Sequence, residues 1–151
     1  MRLARTVTPR YSIVVVEDNR SDVYLLERGL TQEAVPFQLT SITDGGDALA
    51  FIRGEGVFAG APVPDLILLD LNLPKLDAAD LLPEIRNTPR LAQTILCVWS
   101  SSDLASDREK FGELGAAAYI VKPSNLQEFL AIGKVIKGLL EARSTEAAAQ
   151  H

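Results

Sequence analysis

Leu66-Ile67-Leu68-Leu69-Asp70-Leu71-Asn72-Leu73-Pro74 opens as an apolar run and stops in an acid. A run of this length with no polar alternation reads as a strand buried on both faces of a parallel sheet. Ile13-Val14-Val15-Val16-Glu17-Asp18 is built the same way nearer the N-terminus. Carboxylates at the ends of two buried strands are costly to hold close together unless a cation shares the site. The pair therefore points to a metal.

Outward from these runs, strands and helices alternate. Residues 11–16 form a first strand. Asn19 or Ser21 caps a helix to about Leu30, with Val23, Leu26 and Leu30 on one face. Pro36 breaks the chain before a short strand over 37–42. Asp44-Gly45-Gly46 is turn chemistry, followed by a short helix over 48–52. The Gly- and Pro-rich segment 54–64 is a long loop. After the strand at 66–70, Asp77 caps a helix to about Asn87, and Pro83 should kink or shorten it. A buried strand over 94–99 ends in Ser100-Ser101-Ser102-Asp103. A helix over 103–114 is closed by Gly115. The last strand, 117–121, ends in Lys122-Pro123, and Ser124 caps a final amphipathic helix through about Ala142. Residues 1–10 are an N-terminal extension, 11–142 one domain, and 143–151 a flexible tail.

Five strand–helix units imply an α/β fold. Its parallel sheet is doubly wound, with helices on both faces and right-handed crossovers. Ligands in such sheets bind at the carboxyl ends of the strands. Glu17, Asp18, Asp70, Ser100 and Lys122 all fall at such ends. One sheet edge should gather them.

Composition narrows the chemistry. The chain has 151 residues, enough for one full core, and a net charge of −5 with no basic stripe, which argues against nucleic acid as a partner. No apolar run approaches the roughly 20 residues needed to span a bilayer, and Met1-Arg2-Leu3-Ala4-Arg5, with no apolar segment after it, does not read as a signal peptide. A single cysteine, Cys97, fits a reducing cytoplasm. One Cys and one His (His151) leave no zinc ligand set, so any metal is hard and oxygen-liganded. Asp18 and Asp70 can hold Mg2+ or Mn2+, Glu17 one of its waters, and the Asn72 backbone carbonyl a further position. Lys122 can meet a phosphoryl oxygen from the other side, and Ser100 can donate to the same group. With charge neutralised in this way a carboxylate can be the nucleophile, and Asp70 is the candidate.

At these residues the chain resembles the receiver domain of two-component response regulators. The resemblance runs over about residues 11–140. It rests on Glu17-Asp18, on Asp70 within Leu-Leu-Asp-Leu-Asn-Leu-Pro, on Ser100, and on Tyr119-Ile120-Val121-Lys122-Pro123. The long loop before Asp65 is similar to that of single-domain receivers serving phytochrome-type histidine kinases. The resemblance implies a flavodoxin-like sheet of order 2-1-3-4-5 and Asp70 as acceptor of a phosphoryl group from a sensor histidine kinase. It also implies Ser100 and Tyr119 as switch positions, Asn72 and Ser102 as positions that tune dephosphorylation, and a cis Lys122–Pro123 bond. With 29 residues after Lys122, output is expected through a partner or a homodimer formed by the last strand and last two helices. Ala78 stands where the family has Gly, Ser100 where Thr is commoner, and Trp99 and Pro83 are unusual.

Plainer roles compete. Glu17 and Asp18 can be turn and capping residues, Ser100 to Ser102 a capping loop, and Tyr119, Cys97 and Trp99 core. A degenerate receiver acting as an unphosphorylated adaptor keeps the same fold. A haloacid-dehalogenase-type phosphatase needs a second Asp where Asn72 stands. A flavodoxin needs a phosphate loop where Glu17-Asp18 would repel the ligand.

Overall fold

The computed structural model describes residues 10–73 and 77–149, with side chains up to Ser144. The N-terminal extension up to residue 9, Pro74 of the motif that follows Asp70 and the last two residues of the expected tail lie outside the described residues.

Five strands form one parallel sheet: β1 Tyr11–Val16, β2 Phe37–Ile42, β3 Leu66–Asp70, β4 Ile95–Ser100 and β5 Ala118–Val121, in the order β2-β1-β3-β4-β5. Helices α1 Arg20–Gln32, α2 Gly45–Arg53, α3 Ala78–Arg86, α4 Ala105–Glu113, α5 Leu126–Leu130 and α6 Ile132–Ala149 cover both faces. The parallel sheet with helices on both faces is what the alternating pattern predicts, and its order is the flavodoxin-like one that the resemblance implies.

Side chains along a strand alternate between faces, so each strand feeds two cores. Ile13, Val15, Leu66, Leu68, Cys97, Trp99 and Ile120 pack toward α1, α5 and α6. Val14, Val16, Ile67, Leu69, Leu96 and Val98 pack toward α2, α3 and Phe111 of α4. All five residues of β3 are buried, as a central strand covered by helices on both sides requires.

The structure corrects several local expectations. Gly45 and Gly46 lie in the first turn of α2, because the Asp44 side chain accepts from Asp47 N and starts the helix there. Helix α3 continues through Pro83, with Leu81, Leu82 and Ile85 buried beneath it, and ends at Arg86. Ala78 needs no positive φ, since it is simply the first residue of α3 after the Asp77 cap. Helix α4 begins at Ala105, two residues later than expected. The final helix is two helices broken at Ala131. Asn125 rather than Ser124 caps the first of them, accepting from Glu128 N at 2.8 Å. The second runs on past Ala142 to Ala149, and Arg143 ties it to Asp65 at the far edge of the sheet. The Lys122–Pro123 bond is trans, since the described chain contains no cis peptide. A prolyl bond favours trans by about 0.5–1 kcal/mol unless its surroundings reverse the balance.

Candidate functional site

Sheet register assembles the site. Val16 is paired with Leu69, so one further step sets Glu17 beside Asp70. Asp70 is paired with Trp99, and Ser100 with Val121. Two backbone bonds extend the ladders past the strand ends: Glu17 N donates to Ile42 O at 2.9 Å and Lys122 N to Ser100 O at 2.7 Å. The two-residue period then aims Glu17, Asp70 and Lys122 at the same face, that of Val15, Leu68, Trp99 and Ile120, beneath α1. Ser100 follows Trp99 and faces the other way.

One carboxylate oxygen from each of Glu17, Asp18 and Asp70 falls within 4.8 Å of the others. Glu17 and Asp70 are buried, while Asp18 is exposed at the rim. Such an all-oxygen set, half sunk and half open to water, fits a hard divalent cation that keeps part of its hydration shell. Burial pushes the Glu17 carboxyl up to about 7, and the adjacent Asp70 carboxyl pushes in the same direction, against the pull of Lys122. A cation bound nearby would favour the ionised carboxylate. These residues line an open cleft together with Asn19, Asp22, Asn72 and Lys122.

Lys122 closes the cleft. Its Nζ donates to Glu17 Oε1 at 2.5 Å and to Asp22 Oδ2 at 3.0 Å, and lies 3.7 Å from Asp70 Oδ1. Burial alone would lower the ammonium, but the hydrogen bonds to Glu17 and Asp22 and the field of Asp70 outweigh it and raise it. Nζ also sits 4.7 Å from the centroid of the Trp99 ring.

Backbone donors hold the carboxylates in place. Asp70 Oδ1 accepts from Asn72 N at 3.0 Å, and Glu17 Oε2 from Asn19 N at 3.2 Å. Asn19 in turn caps α1, accepting from Ser21 N and Asp22 N. Ser100 Oγ accepts from Ser102 N at 3.0 Å and from the Asn72 side-chain amide at 3.3 Å. Ser102 turns its hydroxyl to Asp107, and its carbonyl accepts from the Tyr119 hydroxyl at 2.9 Å. The half-buried Tyr119 ring lies near Phe111 and under the Arg108 guanidinium.

Every site residue expected from sequence thus gathers at this edge, with Tyr119 joined to it through Ser102. Two contributors escaped the sequence. Asp22 carried no signal beyond being a first-turn acid, which any helix N-terminus favours. Trp99 reads as core, and it is fully buried against Phe129. Its role under Lys122 follows only from the register.

A five-stranded sheet of this order, with an acidic cluster and a lysine at its carboxyl edge, defines a flavodoxin-like α/β protein with a candidate site for a hard cation. The chain belongs to the response regulator receiver domain family, whose family model matches residues 13–134. It is 34% identical over 131 residues to the response regulator Rcp1 of Synechocystis, covering 87% of each chain. Among solved structures it is similar to the phosphorylated cyanobacterial phytochrome response regulator RcpA. That match has 39% identity, a TM-score of 0.78, and covers 85% of this chain and 92% of that one. It is also similar to the Mn2+-bound form of Rcp1, at 33% identity and a TM-score of 0.76, covering 84% and 91%.

Proposed function

We propose that this receiver accepts a phosphoryl group on Asp70 from the phosphohistidine of a sensor kinase and signals through its switch residues. The observation that carries the reading is the convergence of Glu17, Asp18 and Asp70 within 4.8 Å, with Lys122 Nζ 3.7 Å from the Asp70 carboxylate. An Asp70 oxygen attacks phosphorus in line, the P–N bond breaks, and the imidazole nitrogen keeps the electron pair. The product is an acyl phosphate. Mg2+, or Mn2+ as in the Rcp1 structure, would be held by Asp18, Asp70 and the Asn72 carbonyl, with Glu17 on a bound water. It would neutralise the phosphoryl oxygens. Lys122 supplies positive charge from the opposite side, and Ser100 a hydroxyl. Asn72 and Ser102 flank the acceptor and tune the return of the phosphoryl group to water, so turnover is limited to slow self-dephosphorylation.

The likeness to the cyanobacterial phytochrome response regulator RcpA supports a phytochrome-type histidine kinase as donor, and a single, buried, free cysteine fits a reducing cytoplasm. Output runs to a partner or second copy through β5 and the helices beside it. The hydrogen bond from Tyr119 to the Ser102 carbonyl supports this route, because it links that face to the loop beside Ser100. Sedimentation with and without a phosphoryl mimic tests the dimer.

The test of the chemistry is incubation with Mg2+ and acetyl phosphate, followed by intact mass. One phosphoryl adduct is expected, and none with Asp70→Asn or in EDTA. An unmodified parent under every donor would instead make the chain an unphosphorylated adaptor.

A further inference from the structure

Lys122 has two hydrogen-bonded acidic partners, and only one of them belongs to the metal set. The other, Asp22, stands in the first turn of α1, and its side chain is 18% exposed, so water screens the pair only in part. Trp99 supplies a platform under the ammonium, and the face of an indole attracts a cation. Together these contacts hold Nζ beyond hydrogen-bond distance of Asp70, at 3.7 Å. An ammonium has three protons to give. Two are already placed, on Glu17 and on Asp22.

Asp22 cannot easily drift away from this contact. Helix α1 is capped by Asn19 directly beside Glu17. Further along, Gly29 of α1 meets Gly133 of α6 so closely that a Cβ on Gly133 would lie 2.3 Å from the Gly29 carbonyl. The carboxylate is therefore presented to Lys122 from a fixed element.

We propose that Asp22 is a positioning residue for phosphorylation: it holds the Lys122 ammonium back from the acceptor carboxylate, so that an incoming phosphoryl oxygen must draw the ammonium away from it. Transfer then requires Lys122 to loosen its contact with Asp22 as it moves toward the phosphoryl group, while Trp99 keeps the ammonium over its ring. Asp22 becomes a brake on the site, set by one ion pair between α1 and the end of β5. The inference rests on the reading of Asp70 as acceptor.

The experiment compares the parent, Asp22→Asn, Lys122→Gln and the double variant, each with Mg2+ and acetyl phosphate. Intact mass gives the phosphorylation rate. Emission of Trp99, the one tryptophan in the chain, reports the ammonium above it. Asp22→Asn should be phosphorylated about threefold faster or more, as loss of a partly shielded ion pair implies. It should also shift the emission of the unphosphorylated protein. Neither change should survive in the Lys122→Gln background. A purely structural Asp22 would leave the rate alone, or alter emission equally with and without Lys122. Asp22→Ser gives the same reading should the Asn variant fold poorly. An equal or slower rate in a folded Asp22 variant overturns the proposal while leaving Asp70 as acceptor. A parent that takes up no phosphoryl group overturns the Asp70 reading, and this inference with it.

Discussion

Lys122 Nζ donates to Glu17 Oε1 over 2.5 Å, tying the end of β5 to the end of β1 across the sheet edge. The pair does not neutralise the site, because Asp18, Asp22 and Asp70 surround the same cleft. Excess negative charge is what a divalent cation, and then a phosphoryl group, can act upon. Glu17 is where that excess becomes measurable.

In the folded protein the Glu17 carboxyl is raised from 4.5 to about 7 by burial and by Asp70. A raised acid binds its proton more tightly in the folded state. Its contribution to stability is thus fully present below the unfolded value and is lost as pH rises to about 7. In EDTA, thermal stability should fall between pH 5 and pH 8 by this group. Mg2+ competes with the proton, so its stabilising effect should be larger at pH 8 than at pH 6. A melting-temperature gain from Mg2+ independent of pH over this range would show that Glu17 does not titrate there.

The acidic edge of the sheet was legible because buried strands leave few reasons for a terminal acid. Glu17, Asp70 and Lys122 each interrupt an apolar run, and parallel order then places them side by side. Asp22 was not legible: its partner lies 100 residues away, and a first-turn acid has a sufficient local explanation. The break at Ala131 was hidden because apolar residues recur on both sides of it. Ser124 and Asn125 are both good caps, and only the fold selects Asn125. The trans Lys122–Pro123 bond corrects an expectation that came from resemblance and not from any residue.

The end of α1 carries strain that sequence did not signal. Val35 N donates to Leu30 O and Ala34 N to Thr31 O, the paired bonds of a Schellman ending. That ending places its C′ residue in the left-handed region, and here the residue is Ala34, at φ 56°. Val35 and Leu30 are buried, and Pro36 follows, so the turn is held despite the Cβ. Ala34→Gly should stabilise the protein by about 1 kcal/mol, net of the entropy of a new glycine. Chemical denaturation would register this as a higher midpoint with an unchanged slope. A lower midpoint would show that the positive φ costs nothing here.

Cys97 should be chemically silent. It is fully buried in β4, and burial pushes its thiol up from 9.0 to about 12. Iodoacetamide at pH 8 should leave the folded protein unmodified and label it once in urea, as read by intact mass. Because the folded value is the higher one, the stability linked to this thiol is lost only as pH rises through 9 toward 12. Labelling of the folded protein within minutes would show that β4 opens locally.

Two glycines of α6 should respond in opposite directions to the same substitution. A Cβ on Gly133 would lie 2.3 Å from the carbonyl carbon and oxygen of Gly29 and 2.8 Å from Leu30 N. All three are backbone atoms, so no rotamer change relieves the clash, and α1 must move off α6. Gly133→Ala should therefore destabilise by about 3 kcal/mol or more. It should also shift Trp99 emission, since displacing α1 carries Asp22 away from the Lys122 ammonium over that ring. Gly138, one and a half turns on, meets nothing within 4 Å of a built Cβ. There Gly→Ala should stabilise by up to about 1 kcal/mol through helix propensity alone. Thermal melts of the two variants decide the matter. Equal effects at both positions would mean that α1 and α6 do not approach as closely in solution as Gly29 and Gly133 require.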